Sequence, residues 1–388
     1  MKKIFVLLFS LLNSRPIFAY GGNTPVILRV AILTGAPSIE ISFRELHRLK
    51  SLDSDELLSV IPSLKKEKIF PLQEGIKIGE QIFKVPGIKI EPLNEEGGLL
   101  INGRKYRGEI DILRTKDLKL LVINRLELEE YLYGVLFHEV SPHWPIEALK
   151  AQAIVSRTYA LYQRMMNKDK DYDLTSDFYT QIYGGRSSER YRTTRAVKLT
   201  AGKVLTYKGE IFPTYFHATC GGATEDAREL WDIDIGPLKG VKCDFCYQSP
   251  HYLWERFISF KEIKEKLSNY GYGISGKVLG IIPKERNLSG RIRKLTIITE
   301  NNKFEISAKE FRQIFDPQVI RSTNFEVEIE PEGAIFRGYG WGHGVGLCQW
   351  GAYFMAIKGY KAEEILKFYY PGAEIESYPS IMKQKRSE

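Results

Sequence analysis

Residues 126–166, LELEEYLYGVLFHEVSPHWPIEALKAQAIVSRTYALYQRMM, decide the fold of this chain. They read as two helices with a kink between them. Leu126, Leu128, Tyr131, Leu132, Val135 and Leu136 recur at helical spacing and give the first helix an apolar stripe. Pro142 and Pro145 break that pattern, and each biases the residue before it, Ser141 and Trp144, away from helical geometry. Pro145 suits the first turn of the second helix, where a missing donor costs nothing, and Glu147 there complements the helix dipole. Ala148, Ala151, Val155 and Thr158 form a thin face that permits close packing. Lys150 and Arg157 lie two turns apart and share a face.

The kink carries Glu139. A carboxyl at a helix end beside apolar Phe137, Val140 and Trp144 is raised in pKa if it is desolvated, which is what a general acid needs. The residues alone leave a second reading open, a solvated acid at a helix terminus.

Outward from this centre, the alternation of strands and helices is irregular, which points to an α+β fold with mixed β-strands around the central pair of kinked helices. Residues 20–123 read as a mostly-β N-terminal region. Val26–Ser42 gives two strands around a Gly-Ala-Pro turn, Leu52–Lys68 a short helix or a loop, and Leu99–Ile123 a run of strands. Residues 124–375 form the core. Within it, residues 258–330 read as an inserted region with a hairpin around Glu300-Asn301-Asn302 and two short helices, Phe260–Leu267 and Ala308–Phe315. Ile211–Thr219 reads as one strand, and residues 376–388 as a flexible tail.

Of the 388 residues, 43% are hydrophobic and 27% charged, which excludes wholesale disorder. The formal charge is +8. Such a mildly basic surface suits an anionic polymer or no particular partner, and the chain lacks the basic clusters with interleaved aromatics that would indicate nucleic acid. Residues 1–19 read as a secretory signal: Lys2 and Lys3, then the apolar run Ile4–Leu12, then Ile17-Phe18-Ala19 as a cleavage site. The chain is therefore expected to be exported, to the periplasm or cell envelope. Membrane attachment is expected only if the signal stays uncleaved. The run is too short to span a bilayer.

Three cysteines fall within HATCGG and KCDFCYQSPHYLW: Cys220, then Cys243 and Cys246 as a C-x-x-C. With His217 or His251 as the fourth ligand they would hold a structural zinc ion. A disulfide or free buried thiols are the alternatives. Cys348, within GHGVGLCQWG, reads as a small buried residue. A catalytic role with His343 as base finds no wider support. The block from 338 to 351 has Gly at 338, 340, 342, 344 and 346. Its spacing is not that of a phosphate-cradling loop. If extended, it would place Trp341 and His343 on one face as a surface for a sugar; a Gly-bulged strand packed on the central helices is the other reading.

Three separated blocks carry a resemblance: HEVSPHWPIEALKAQAIVSRTYAL, TQIYGG (Thr180–Gly185) and GYGWGHGVGLCQWGAYFMAIKGY (Gly338–Tyr360). In this order they resemble the stage II sporulation protein D / amidase enhancer LytB family, and the match runs from about Val26 to Gly372. The resemblance implies a lytic transglycosylase acting on peptidoglycan glycan strands between N-acetylmuramic acid and N-acetylglucosamine, with Glu139 as the one catalytic carboxyl and no cofactor needed for the chemistry. It places Gln181 and Tyr183 near the active site and matches Lys150 and Arg157 to basic positions of the motif. Trp341, His343 and Gln349 complete the expected substrate-binding set. Some relatives carry a Cys/His metal cluster just before the Gln; here Thr175, Tyr179 and Thr180 stand in those places. The family equally implies a non-catalytic alternative, an amidase enhancer or glycan-binding module that stimulates a cell-wall amidase. A zinc-dependent hydrolase is a third reading, disfavoured by its thiolate-rich ligands.

Overall fold

A computed structural model describes residues 25–94, 98–177 and 180–378. The expected signal, Tyr179 and the chain beyond Tyr378 lie outside the described residues. The architecture is α+β.

Two antiparallel sheets dominate the first third. The seven-stranded sheet runs, edge to edge, Leu174–Thr175, Ile27–Ala36, Leu120–Glu127, Glu109–Arg114, Gly87–Pro92, His47–Ser51 and Leu57–Ile61, and only its first pair is parallel. The six-stranded sheet runs Arg104–Tyr106, Leu99–Ile101, Ile39–Phe43, Leu64–Leu72, Gly75–Ile78 and Gln81–Phe83. Period-two patterning explains them: Ile39, Ile41 and Phe43 are buried while Glu40 and Ser42 between them are half-buried. The inner faces of both sheets feed one apolar core. The segment 52–68, expected as a short helix or loop, is instead two strands, Leu57–Ile61 and Leu64–Leu72. Its charged residues sit on solvent-facing positions, which disguised the alternation.

The central helices are α1, Leu128–Glu139, and α2, Ile146–Met166. Leu126 belongs to the preceding strand, Leu120–Glu127, rather than to α1. The break covers residues 140–145, with Pro145 at the cap of α2 in extended geometry (φ −53°, ψ 140°). Every residue of α2 from Ala148 to Leu161 except Lys150 is buried. Leu149, Ala153 and Ala160 join the core of the two sheets, whereas Ala151, Ile154 and Val155 join a second core with Leu205, Val345, Leu347, Ile365 and Leu366. A helix apolar around most of its circumference is one buried between layers.

The remaining third hangs on this second core. The helix α3, Tyr191–Leu199, leads into the strand Lys203–Tyr207. The expected strand over 211–219 is two short ones, Glu210–Ile211 and Phe216–His217, because Pro213 falls between them. Phe216–His217 pairs in parallel with Leu347–Cys348. Two three-stranded sheets and the helices Phe260–Asn269 and Ala308–Ile314 make a unit with its own core of Trp254, Leu267, Leu295, Phe311 and Phe336. Glu376 and Ser377, expected as flexible tail, belong to the strand Glu374–Ser377 and pair with Val204 and Lys203. No described helix is long and apolar enough to cross a membrane.

Candidate functional site

Glu139 is the last residue of α1, where the helix stops and the chain turns toward α2. Its side chain is half-buried. Burial pushes its carboxyl pKa up to about 7, and a hydrogen bond from the Ile182 backbone N–H pulls the other way. Desolvation therefore wins over the one donor that favours the anion. Its charge is also felt by Tyr131 and Tyr159, whose hydroxyl pKa values burial already raises, so both phenols stay neutral beside it.

The 180–185 loop packs along α1. Gly184 N–H donates to the Gly134 carbonyl at 3.2 Å. A methyl group on Gly134 would meet the Tyr183 ring at 2.6 Å, so glycine is what lets the loop lie this close. Tyr183 is buried and donates to Asn124 Oδ1 at 2.9 Å, beneath the site rather than in it. Gln181 is buried and accepts from the Tyr131 hydroxyl at 3.2 Å. Its Nε2 has no partner among the described residues, an unmet donor one residue before the Ile182 N–H that bonds Glu139. Thr175 and Thr180 bond one another, with Thr180 Oγ1 donating to the Thr175 carbonyl at 2.6 Å.

The two basic residues do not face Glu139 as a binding pair. Lys150 Nζ lies 2.8 Å from Glu147 Oε1, and Glu147 in turn accepts from Ala362 N–H at 3.0 Å. Arg157 is wholly buried and forms a two-pronged ion pair with Glu129, both contacts at 2.7 Å. It also donates to the carbonyls of Lys203 (3.1 Å) and Val197 (3.3 Å). Arg157 thereby ties α1, α2, α3 and the following strand together, a structural role in place of substrate contact.

Gln349 reaches the kink directly. Its Nε2 donates to the Glu139 carbonyl at 3.1 Å and lies 3.4 Å from Gln152 Oε1. The next residue, Trp350, packs its ring 5.1 Å from Trp144 and 5.2 Å from Tyr353. His251 continues the row, 6.1 Å from Trp350 and 4.8 Å from Trp341, with the Arg321 guanidinium 4.7 Å over Trp341. A line of half-buried rings thus leads away from the kink. Trp350 and Tyr353 were not singled out from the sequence; aromatic spacing within one short helix carries no signal about what it faces.

Trp341 and His343 do not share a face. Gly340, Gly342, Gly344 and Gly346 all have positive φ, between 72° and 115°, so the block after Tyr339 is not an extended strand. His343 instead meets Tyr215, His217 and Trp231. Burial pushes its pKa down to about 3, so it is a neutral packing group. At Gly346 a Cβ would stand 2.0 Å from the Tyr215 carbonyl oxygen, a close approach that explains glycine there.

The structure gathers four thiols and leaves both histidines of the expected metal set out of the group. Cys220, Cys243, Cys246 and Cys348 are free, all buried, and their Sγ atoms lie within 4.8 Å of one another. His217 and His251 stand outside this group. His217 bonds the Val345 carbonyl through Nδ1, and the His251 ring packs on Trp341. Cys348 takes the fourth place because the parallel pairing of Leu347–Cys348 with Phe216–His217 delivers its thiol beside Cys220.

Comparisons with known proteins agree with this layout. A family described as stage II sporulation protein matches residues 116–207, which hold α1, the kink, α2 and the Gln181 loop. A domain of unknown function matches residues 242–346. An uncharacterized protein of Brachyspira hyodysenteriae is 35% identical over 331 residues, covering 84% of this chain and 86% of that protein. Stage II sporulation protein D of Bacillus subtilis is 30% identical over 281 residues, 68% of this chain and 78% of the relative. The amidase enhancer of the same organism is 27% identical over 75% of this chain and 47% of its own length. With the kink carboxyl, the helix pair and the glutamine loop all inside the matched segment, the chain belongs to the stage II sporulation protein D / amidase enhancer LytB family.

Proposed function

We propose that this protein is an exported lytic transglycosylase that cleaves peptidoglycan glycan strands between N-acetylmuramic acid and N-acetylglucosamine, with Glu139 as its single acid/base. The observation that carries the reading is the Glu139 carboxyl at the helix break, its pKa lifted by burial to about 7. A carboxyl at that value is populated in both forms near neutral pH, as a group serving first as acid and then as base requires.

In this mechanism the protonated Glu139 gives its proton to the glycosidic oxygen as the bond to the anomeric carbon breaks. The C6 hydroxyl of the same muramoyl residue then attacks that carbon, and the Glu139 carboxylate takes the hydroxyl proton. A 1,6-anhydro end forms and the carboxyl is again protonated. The nucleophile belongs to the substrate, so the second carboxylate of an ordinary glycosidase is dispensable. Lys150 and Arg157 support this by their engagement elsewhere: a cation against Glu139 would lower its pKa and keep it ionised. The rings of Trp144, Trp350 and Tyr353 offer flat apolar surfaces of the kind on which sugar rings rest. Glu139 carries the proton transfers alone in this scheme, and the four thiols serve architecture.

A second reading is favoured by the relative named amidase enhancer: a chain that binds glycan strands and stimulates a cell-wall amidase without cutting. The test is mass spectrometry of purified glycan strands incubated with the mature protein and with Glu139→Gln. Anhydro-ended fragments from the first and none from the second are expected. Binding without cleavage by either protein would replace the enzyme with the enhancer.

A further inference from the structure

We propose that Cys220, Cys243, Cys246 and Cys348 bind one zinc ion in a closed, four-thiolate site that fastens the start of the helix Gln349–Ile357. The binding claim is independent of the glycan-cleaving activity.

The distances fit one ion. A tetrahedral zinc with Zn–S bonds of about 2.3 Å sets its sulfurs about 3.8 Å apart. Here the Cys220 and Cys246 sulfurs are 3.3 Å apart and all four lie within 4.8 Å. Disulfides, with S–S bonds of about 2.05 Å, would join the sulfurs two by two, whereas all four are free here and gathered about one centre. Exposure of the four residues is 0–1%, so no ligand position opens to water, which is the mark of a structural site.

The surroundings are built for negative sulfur. Cys348 Sγ accepts from two backbone N–H groups, those of Cys220 (3.2 Å) and Gly351 (3.3 Å). Such donors orient and stabilise a metal-bound thiolate. Four thiolates on a divalent ion leave a doubly negative centre. The fully buried Arg291 guanidinium stands beside it, donating to the carbonyls of Cys220 (2.7 Å) and Ala223 (3.0 Å). The Glu225 carboxylate is its nearby counter-charge, and that carboxylate also accepts from Asn287 and Ser289. The zinc centre gives this buried cation a second source of opposite charge. At Gly351 a Cβ would strike the Tyr369 hydroxyl at 1.9 Å and lie 3.3 Å from Cys243 Sγ, so the helix is packed hard against the cluster.

The site joins three separated pieces of chain. Cys220 follows the strand Phe216–His217, Cys243 is held by its N–H to the Gly222 carbonyl (2.9 Å), Cys246 opens a short turn, and Cys348 caps the helix. The two residues after Cys348 are Gln349 and Trp350, which hold the Glu139 carbonyl and the Trp144 ring. The ion therefore fixes the element that positions the kink.

Zinc content and zinc-edge X-ray absorption on the full purified chain test the site. One zinc per chain with four sulfur neighbours at about 2.3 Å is expected. Iron in its place, zinc well below one per chain, a nitrogen neighbour from His217 or His251, or a disulfide in the isolated protein would each overturn it. Hydrogen exchange before and after chelation tests the fastening. Faster exchange is expected at the Gln349–Ile357 amides and at residues 140–145, ahead of the two N-terminal sheets. Unchanged exchange there after complete zinc loss would overturn the positioning claim. Neither readout depends on glycan cleavage, so failure of the enzymatic reading leaves the site testable.

Discussion

At the scale of the residue, Glu139 sets both chemistry and a stability cost. Its folded pKa of about 7 lies above the ordinary 4.5. Between those values the unfolded chain releases a proton that the folded chain keeps, so stability falls as pH rises through the window, and the loss is complete above about pH 7. Glu139→Gln removes this slope. At pH 8 it should gain up to about 3 kcal/mol relative to the wild type, and near pH 4 almost nothing. Urea unfolding at both pH values measures the difference. The same variant should lose at least about 100-fold in glycan cleavage. Wild-type cleavage should decline as pH rises through about 7, because the reaction begins from the protonated acid. Glu139 was legible in the sequence because two prolines forced a break beside a helical stripe. Its elevated pKa comes from burial, which outweighs the opposing pull of the Ile182 N–H, and no local pattern encodes that balance.

At the scale of the element, α1 and α2 behave as one clamped pair. Arg157→Ala leaves the Glu129 carboxylate and the carbonyls of Val197 and Lys203 without their shared donor. Because the Glu129 carboxylate keeps some contact with solvent, the loss should cost about 2–3 kcal/mol. Chemical denaturation should report the loss, and KM for glycan in the surviving folded fraction should stay near the wild-type value. A substrate-binding arginine would show the reverse. Gly134→Ala drives a methyl group into the Tyr183 ring and should cost about 1–3 kcal/mol, read as a lower denaturation midpoint. The helical periodicity of 126–166 made this pair readable from sequence. The same spacing put Arg157 on one face with Lys150, and the resemblance made the two basic positions candidate substrate contacts; periodicity tells which face a residue shares and not what covers that face. The strands Leu57–Ile61 and Leu64–Leu72 were missed because Lys65, Lys66, Glu67 and Lys68 crowd the positions where alternation would show.

At the scale of the whole molecule, the central helices are pressed between two cores, and the thiol cluster belongs to the second. Chelation by a strong zinc ligand should therefore lower the melting temperature and take glycan cleavage down with it, whereas Glu139→Gln should stop cleavage with the fold intact. Running both on one preparation separates loss of chemistry from loss of architecture. The α+β class and the order of the three motif blocks could be read along the chain. The fourth thiol could not, because Cys348 lies more than a hundred residues beyond Cys246, and only the parallel pairing of Phe216–His217 with Leu347–Cys348 brings it into place. Gln349 was placed by resemblance, and its bond to the Glu139 carbonyl arises from the same pairing.

The most direct test of the central claim is digestion of purified glycan strands in 18O-labelled water, with the new ends weighed by mass spectrometry. An intramolecular attack by the muramoyl C6 hydroxyl predicts anhydro ends that carry no label and are lighter by one water, formed by the wild type and absent with Glu139→Gln. Labelled reducing ends would mean that water is the nucleophile, contradicting a single-carboxyl transglycosylase.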